Sequence, residues 1–427
     1  MTAHEPEGGP SREETSQPLS EDRGASIHDF TSKLTQESVI NRLDAYVKMQ
    51  HQRRVGGPGN SPAPLGQAPL SINLDLTTAC NYACDHCIDM DILNQGIRFE
   101  NDRLLQSITN MAEHGLRSII LIGGGEPTVY PLFGQTLRHI KKLGLGVGIV
   151  TNGSRLDRIL EVAECLDRGD WLRLSLDSGT DATFQAMHKP RKRITLEQIC
   201  AQIPAIKQAN SQLAIGFSFI ITWKDCNANH QNIHENLDEM VEATRLAKAY
   251  KFDYISFKPF LVRLETNNAE TVGLSRDDSD QVDILDHIRS NLERAHALED
   301  DGFRVVESSN LVVLERGTAA RYTHQPGTCH MTFFRQVVSP LGVYCCPVYR
   351  NVPAARIGDK NLYSDPASAP DACQDTLRVI DSFDASTECR EVTCLFNDAN
   401  WFVEDLVQHP EKIQQLNATP DRNDYFF

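Results

Sequence analysis

The sequence predicts an α/β protein built on a parallel sheet, and two observations predict it. Short apolar runs recur at 72–76 (INLDL), 118–122 (SIILI), 147–150 (VGIV), 171–176 (WLRLSL), 214–221 (AIGFSFII) and 254–260 (YISFKPF). Segments of helical period separate them, among them LLQSITNMAEHG (104–115), LFGQTLRHIKKLG (132–144) and NLDEMVEATRLAKAY (236–250). Strand and helix alternate roughly six times, and parallel strands need helical crossovers of this kind. An open doubly wound sheet and a barrel both fit that count.

Taken in chain order, residues 1 to about 34 are rich in Gly, Pro, Ser and Glu and are expected to be disordered. Val39, Leu43, Tyr46 and Val47 repeat at helical spacing and predict a short helix. Residues 55–70 (VGGPGNSPAPLGQAPL) read as a flexible linker, so 1–69 is a mostly disordered tail and linker. The alternating core follows over 70–262. Next comes an acidic helical connector, 263–324; its stretch 264–301 carries eleven Asp or Glu against three Arg, with a helix over VDILDHIRSNLERAHAL. A second cysteine-bearing region occupies 325–398, and 399–427 closes the chain with the amphipathic pattern NWFVEDLVQH.

A net charge of −16 argues against nucleic acid as the main partner, because phosphate binding needs a basic surface. No run of about 18 apolar residues is present to span a membrane, and the N-terminal stretch lacks the apolar centre of a signal peptide. A cytoplasmic location is therefore expected. In that compartment twelve cysteines point to metal or redox chemistry before disulfides.

The segment LTTACNYACDHCIDMD (76–91) sets Cys80, Cys84 and Cys87 in a C-x3-C-x2-C pattern directly after the first strand. Three thiolates so spaced can hold three corners of a [4Fe–4S] cubane and leave the fourth iron open to a small molecule. Zinc is the alternative: it takes four ligands, and His86 would have to serve as the fourth.

The loop resembles the signature of the radical S-adenosylmethionine (SAM) superfamily. That resemblance implies a partial (β/α)6 TIM-type barrel over about 70–262. It also implies an open iron chelated by the amino and carboxylate groups of SAM, and cleavage of SAM to a 5′-deoxyadenosyl radical. Further motifs fall where the family carries them. LIGGGEPTVY (121–130) ends the second strand; Gly124 and Gly125 allow close backbone approach, and Glu126 is expected to accept from the SAM ammonium. TNGS (151–154), with Asn152, ends the third strand, although Asn-Gly is also an ordinary turn. LSLDSG (174–179) ends the fourth, where Ser175 and Asp177 are expected to reach the SAM ribose. His86, just before the third cysteine, is expected near the adenine. Gly216 and Lys258 fit the barrel pattern more weakly.

Beyond the barrel, VVSPLGVYCCPVYR (337–350) reads as a hairpin ending in cysteines, and CREVTC (389–394) supplies another pair. Cys329, Cys346, Cys389 and Cys394 are the candidate ligands of a metal or second cluster. Cys345 competes with Cys346, and Cys373 could substitute for one of the last pair. A zinc-stabilised hairpin without a redox role is the bland alternative. Cys165, Cys200 and Cys226 read as ordinary thiols. The region resembles the C-terminal auxiliary-cluster extension of the SPASM/twitch group, and within it 2-deoxy-scyllo-inosamine dehydrogenase-like enzymes.

The resemblance implies a radical SAM oxidoreductase that dehydrogenates or epimerises a small metabolite such as a sugar, cyclitol or nucleotide. The alternative is a peptide-modifying maturase. A second, auxiliary [4Fe–4S] cluster and an electron donor such as flavodoxin or ferredoxin come with it. No general base is identified; Lys258, Arg263 and His188 are candidates by position alone.

Overall fold

The computed structural model describes residues 29–56, 66–228, 231–263, 270–272 and 279–427. The tail before 29 and most of the 55–70 linker lie outside the described residues. Six strands carry the alternating core: β1 (Ser71–Leu74), β2 (Ser118–Leu121), β3 (Gly146–Thr151), β4 (Trp171–Ser175), β5 (Ala214–Ile221) and β6 (Tyr254–Pro259). Four more follow: β7 (Arg304–Glu307), β8 (Arg335–Ser339), β9 (Gly342–Tyr344) and β10 (Arg356–Gly358).

All ten form one sheet in the order β7-β6-β5-β4-β3-β2-β1-β8-β9-β10. Neighbours are parallel from β7 through β8, and antiparallel in the β8-β9-β10 hairpin. The sheet does not close on itself, so the architecture is an open, partial barrel with helical crossovers. Alternation along the strands assigns the two faces. On β4, Leu172 and Leu174 are fully buried, while Trp171, Arg173 and Ser175 between them are only half-buried. The second set faces the barrel interior, where the strand pairs bring small residues such as Ser218 opposite Ser175.

Three features differ from the sequence expectation. Disorder does not extend to residue 34: a helix spans Phe30–Leu34, capped by Asp29, which accepts from the Ser32 amide at 3.0 Å. Phe30 and Leu34 are buried, and the Phe30 ring lies 4.4 Å from that of Phe396. The local sequence is poor in apolar residues, and partners more than 300 positions away complete its core. The helix that follows, Ile40–Gly56, was expected and buries Leu43, Tyr46 and Val47 in the same second core.

The acidic connector is the second difference. It contains the expected helix, Ser279–His296, but also β7, which extends the parallel sheet beyond β6. RVVE is too short and too charged to announce a strand; it is one because the edge of β6 offers unpaired backbone groups. Third, the cysteine hairpin is not a separate sheet. β8 pairs in parallel with β1, Ser71 opposite Arg335 through Leu74 opposite Val338, so barrel and hairpin share one ladder.

The chain end crosses the N-terminal ends of the strands. Ser118 donates to the Tyr425 carbonyl at 2.7 Å, and the Phe426 ring packs on Trp171 at 5.6 Å. Among the described residues no helix is long and apolar enough to cross a membrane.

His296 ends its helix between Glu307 of β7, at 2.9 Å, and Glu299, at 3.2 Å. The bond to Glu307 and the Glu299 carboxylate raise its pKa above 6.5. A raised folded-state pKa stabilises fully below about 6.5, and that contribution disappears as pH rises through the folded value. The thermal midpoint is therefore expected to fall more between pH 6 and 8.5 in the parent than in His296→Gln, by the equivalent of about 1 kcal/mol or less. Equal slopes in calorimetry at the two pH values would remove this contact from the stability of β7.

Candidate functional site

The loop after β1 is held on three sides. Its amides donate to the end of the helix Asp181–His188: Ala83 N to the His188 carbonyl at 3.2 Å and Asp85 N to the Met187 carbonyl at 3.3 Å. Tyr82 is buried against Phe184 and His188. Cys80 N donates to Asn94 Oδ1 at 3.1 Å, which ties the return of the loop to its start. The three thiols come within electrostatic reach of one another. Burial first, and then the neighbouring sulfurs, push Cys84 well above the ordinary thiol range; burial and Asp89 push Cys87 to about 12. Three half-buried thiols whose pKa values are raised are poorly placed as nucleophiles, but a cationic iron core would favour their ionised form. The donor set fits three corners of a cluster.

Behind the thiols sit His86, Asp177 and His188. Cys84 Sγ is 3.3 Å from His188 Nδ1, and His188 Nε2 faces the Leu176 carbonyl at 3.0 Å. Asp177 Oδ2 meets His86 Nε2 at 3.2 Å and His188 Nε2 at 3.4 Å, while Oδ1 accepts from Ile220 N at 2.7 Å. Asp177 was expected to reach a ribose from the β4 end. Asp177 follows the strand with φ of +47°, and both of its carboxylate oxygens have protein partners. Hydrogen bonding and charge from the two imidazoles hold its pKa below the usual value despite complete burial. His86 is likewise buried. Ser175 remains on the half-buried interior face.

The glycine turn after β2 is packed from below. A Cβ at Gly125 would lie 2.4 Å from the Ala79 carbonyl oxygen, and one at Gly124 would lie 2.8 Å from Asp75 Cβ. Gly124 also has φ of +65° and donates to Asp89 Oδ2 at 3.0 Å. Glu126 is buried. Its Oε1 accepts from Thr128 N at 3.0 Å and Thr151 Oγ1 at 2.6 Å, and its Oε2 from Asn152 N at 2.7 Å. Oε1 is saturated, so acceptor capacity remains on Oε2. The Asn152 side chain is committed to Asn81 Oδ1 and the Ser154 amide, at 2.9 Å each.

A second group of thiols gathers beside the hairpin. Cys389 and Cys394 lie within electrostatic reach of each other and of Cys329 and Cys346. Cys345 points into the core, although Cys346 and Cys329 still influence it. Cys373 belongs to a different cluster, with Leu377 and Ile380 against the N-terminal helix. The wider gap between Cys389 and Cys394 is accommodated by a turn in which Val392 N donates to the Cys389 carbonyl at 2.9 Å. Four converging thiols, with a buried guanidinium nearby, fit an anionic metal centre.

The two groups are joined by a contact that nothing in the sequence announces. Arg350, four residues after Cys346, donates through Nε to Asp75 Oδ2 at 2.9 Å and through Nη1 to Asp89 Oδ1 at 3.2 Å. Asp75 directly follows β1 and Asp89 lies two residues past Cys87, and Asp75 is 275 positions from its partner.

Residues 74–230 match the model of the Radical SAM superfamily. These residues form a radical SAM domain. An S-adenosylmethionine-dependent nucleotide dehydratase of Thermoplasmatales archaeon (strain ISO4-H5) is 34% identical over 112 residues, covering 26% of this chain and 39% of that one. Mycofactocin maturase MftC of Mycobacterium ulcerans (strain Agy99) is 33% identical over 120 residues, covering 26% of this chain and 30% of that one. The matches thus span less than half the length of either relative. The solved structure of tagged anSMEcpe with bound AdoMet superposes with a TM-score of 0.50 at 13% identity, over 82% of this chain and 98% of that one; at that identity the likeness concerns the fold. A radical SAM domain implies a [4Fe–4S] cluster and SAM as cofactors.

Two outcomes follow for the radical SAM domain. Gly125→Ala pushes a methyl into the carbonyls of Thr77 and Ala79, so SAM binding should weaken at least tenfold and iron retention should drop; equilibrium dialysis and iron assay on the reconstituted protein check both. Arg350→Met leaves Asp75 buried without its cation, a loss of about 3–5 kcal/mol. Adding Asp75→Asn to it should recover part of that loss, read as the midpoint of chemical unfolding; a double variant no more stable than the single one refutes the charge-pair account.

Proposed function

We propose that this chain is a radical SAM oxidoreductase acting on a small, anionic metabolite, of which a nucleotide, or a phosphorylated sugar or cyclitol, is the favoured class. The observation that carries this reading is a guanidinium, Arg173, in the barrel interior with no carboxylate bonded to it among the described residues and the amine of Lys258 within electrostatic reach. Arg173 of β4 stacks on Trp171, its Cζ 5.3 Å from the ring, and its buried Nε has no hydrogen-bond partner. Lys258 of β6 donates to Ser218 Oγ at 3.1 Å. An unpaired guanidinium so placed suits an anionic substrate.

When bound, the clusters and SAM supply the 5′-deoxyadenosyl radical that abstracts a C–H hydrogen and a sink for the electron left behind. The chain's own part is to hold the substrate and remove its proton. Arg173 keeps its charge and anchors the anion. Lys258 has its pKa driven far down by burial and by Arg173, so its neutral amine is the proton acceptor for an oxidation. His188 and Arg263, the other candidate bases, are less suited: His188 is committed to Cys84 and Leu176. Cys329, Cys346, Cys389 and Cys394 are proposed to hold the auxiliary cluster, with flavodoxin or ferredoxin as the electron donor and the cytoplasm as the location.

A peptide-modifying activity is the second reading, favoured by the maturase name of one relative. Reconstituted protein should contain roughly eight irons and, once reduced, convert SAM to 5′-deoxyadenosine. Cys84→Ala should abolish that conversion. Nucleotides and sugar phosphates are expected to stimulate it, and Lys258→Met to retain SAM cleavage while losing oxidised product. Stimulation by peptides alone would favour the maturase reading; absence of 5′-deoxyadenosine under every condition would end both.

A further inference from the structure

We propose that Arg335 is the charge partner of the C-terminal four-thiol site and raises the reduction potential of the cluster held there. The inference rests on the reading that Cys329, Cys346, Cys389 and Cys394 bind an iron–sulfur cluster. Arg335 opens β8, six positions after Cys329, and is 6% exposed. Its Nε is buried without a hydrogen-bond partner, and among the described residues no carboxylate lies within ion-pair distance of its guanidinium. The side chain rests on the ring of Phe396, two residues past Cys394, with Cζ 5.2 Å from the centroid. The groups within electrostatic reach of it are the thiols of Cys346, Cys394 and Cys329, and one further cation, Arg350.

A guanidinium removed from water is costly unless acceptors or a counter-charge compensate it; Arg42 donates to the Ala68 and Gly115 carbonyls. Arg350 meets this requirement with Asp75 and Asp89. For Arg335, the groups of potential opposite charge within reach among the described residues are the thiols of Cys346, Cys394 and Cys329. Four thiolates around a [4Fe–4S]2+ core carry a net charge of 2−, and one-electron reduction makes it 3−, with no proton taken up. A fixed cation stabilises the second state more than the first, so the electron is held more readily. In the proposed oxidation that electron comes from the substrate radical after its proton has left. Arg335 touches neither substrate nor SAM, and is therefore a positioning residue that acts through the cluster.

The test uses the full chain with Cys80, Cys84 and Cys87 all changed to Ala, which leaves the C-terminal site alone, and follows reduction by electron paramagnetic resonance. Roughly four irons per chain are expected. Adding Arg335→Gln should lower the midpoint by the equivalent of tenfold or more in the reduction equilibrium, about 59 mV per tenfold for one electron, and Arg335→Lys should restore most of it. Because the Gln variant could lose its cluster, ¹⁵N-arginine labelling of the triple variant gives a second readout, a nitrogen coupling to the reduced cluster. An intact cluster with an unmoved midpoint, or with no arginine coupling, overturns the role of Arg335 alone. A triple variant that binds zinc or no iron overturns the cluster reading and this inference together.

Discussion

The parallel ladder between β1 and β8 is the constraint on which the rest of the arrangement depends. β1 delivers the three-cysteine loop from its C-terminal end, and β8 begins six positions after Cys329 and runs into the cysteine hairpin. Because Ser71 to Leu74 pair with Arg335 to Val338 in one register, the two cysteine groups are mounted on one frame. A slip by one residue would turn every side chain of β8 to the other face and carry Arg335 away from the thiols. Both faces of the pair are buried, with Leu74 opposite Val338 on one face and Asn73 opposite Val337 on the other.

Onto this frame the chain places an unusual amount of buried charge, and nearly all of it is compensated from a distance. Asp177 is matched by His86 and His188, Glu126 by hydroxyls and amides of the β2 and β3 ends, and Asp75 by Arg350. Each match joins elements that a flexible chain would let drift apart. Glu404 does the same for the second core, receiving Arg54 at 2.7 Å from the N-terminal helix and meeting His330 Nε2 at 2.9 Å. A carboxylate is tolerated in such places only with several donors around it. Among the described residues, Arg42 has no carboxylate and donates to the Ala68 and Gly115 carbonyls instead, whereas Arg173 and Arg335 stand where a substrate and a metal centre are proposed.

Much of the fold was legible in the residues. The six barrel strands, the long crossover helices, the helix over Ile40–Gly56 and the hairpin after Val337 follow from apolar period and turn residues. The strand-end motifs were legible too, because cysteine spacing and Gly-Gly-Glu survive without any knowledge of contacts. β7 was not, since an edge strand of four residues draws its hydrogen bonds from a neighbour and needs little pattern of its own. Nor was the ordering of Phe30–Leu34, whose apolar partners lie near the chain end.

The sequence by itself determined the chemistry on offer: three thiols in eight residues, a glycine turn able to approach them, and a second set of cysteines with several possible pairings. Only the tertiary structure decided among the pairings. It grouped Cys346 with Cys329, Cys389 and Cys394, and sent Cys345 and Cys373 into apolar cores. It also brought Asp177 against His86 and His188, and joined Arg350 to Asp75. The physical reason is the same in each case. Which atom a side chain meets depends on backbone direction and on burial set by elements hundreds of residues away, and neither is encoded in the spacing of a motif.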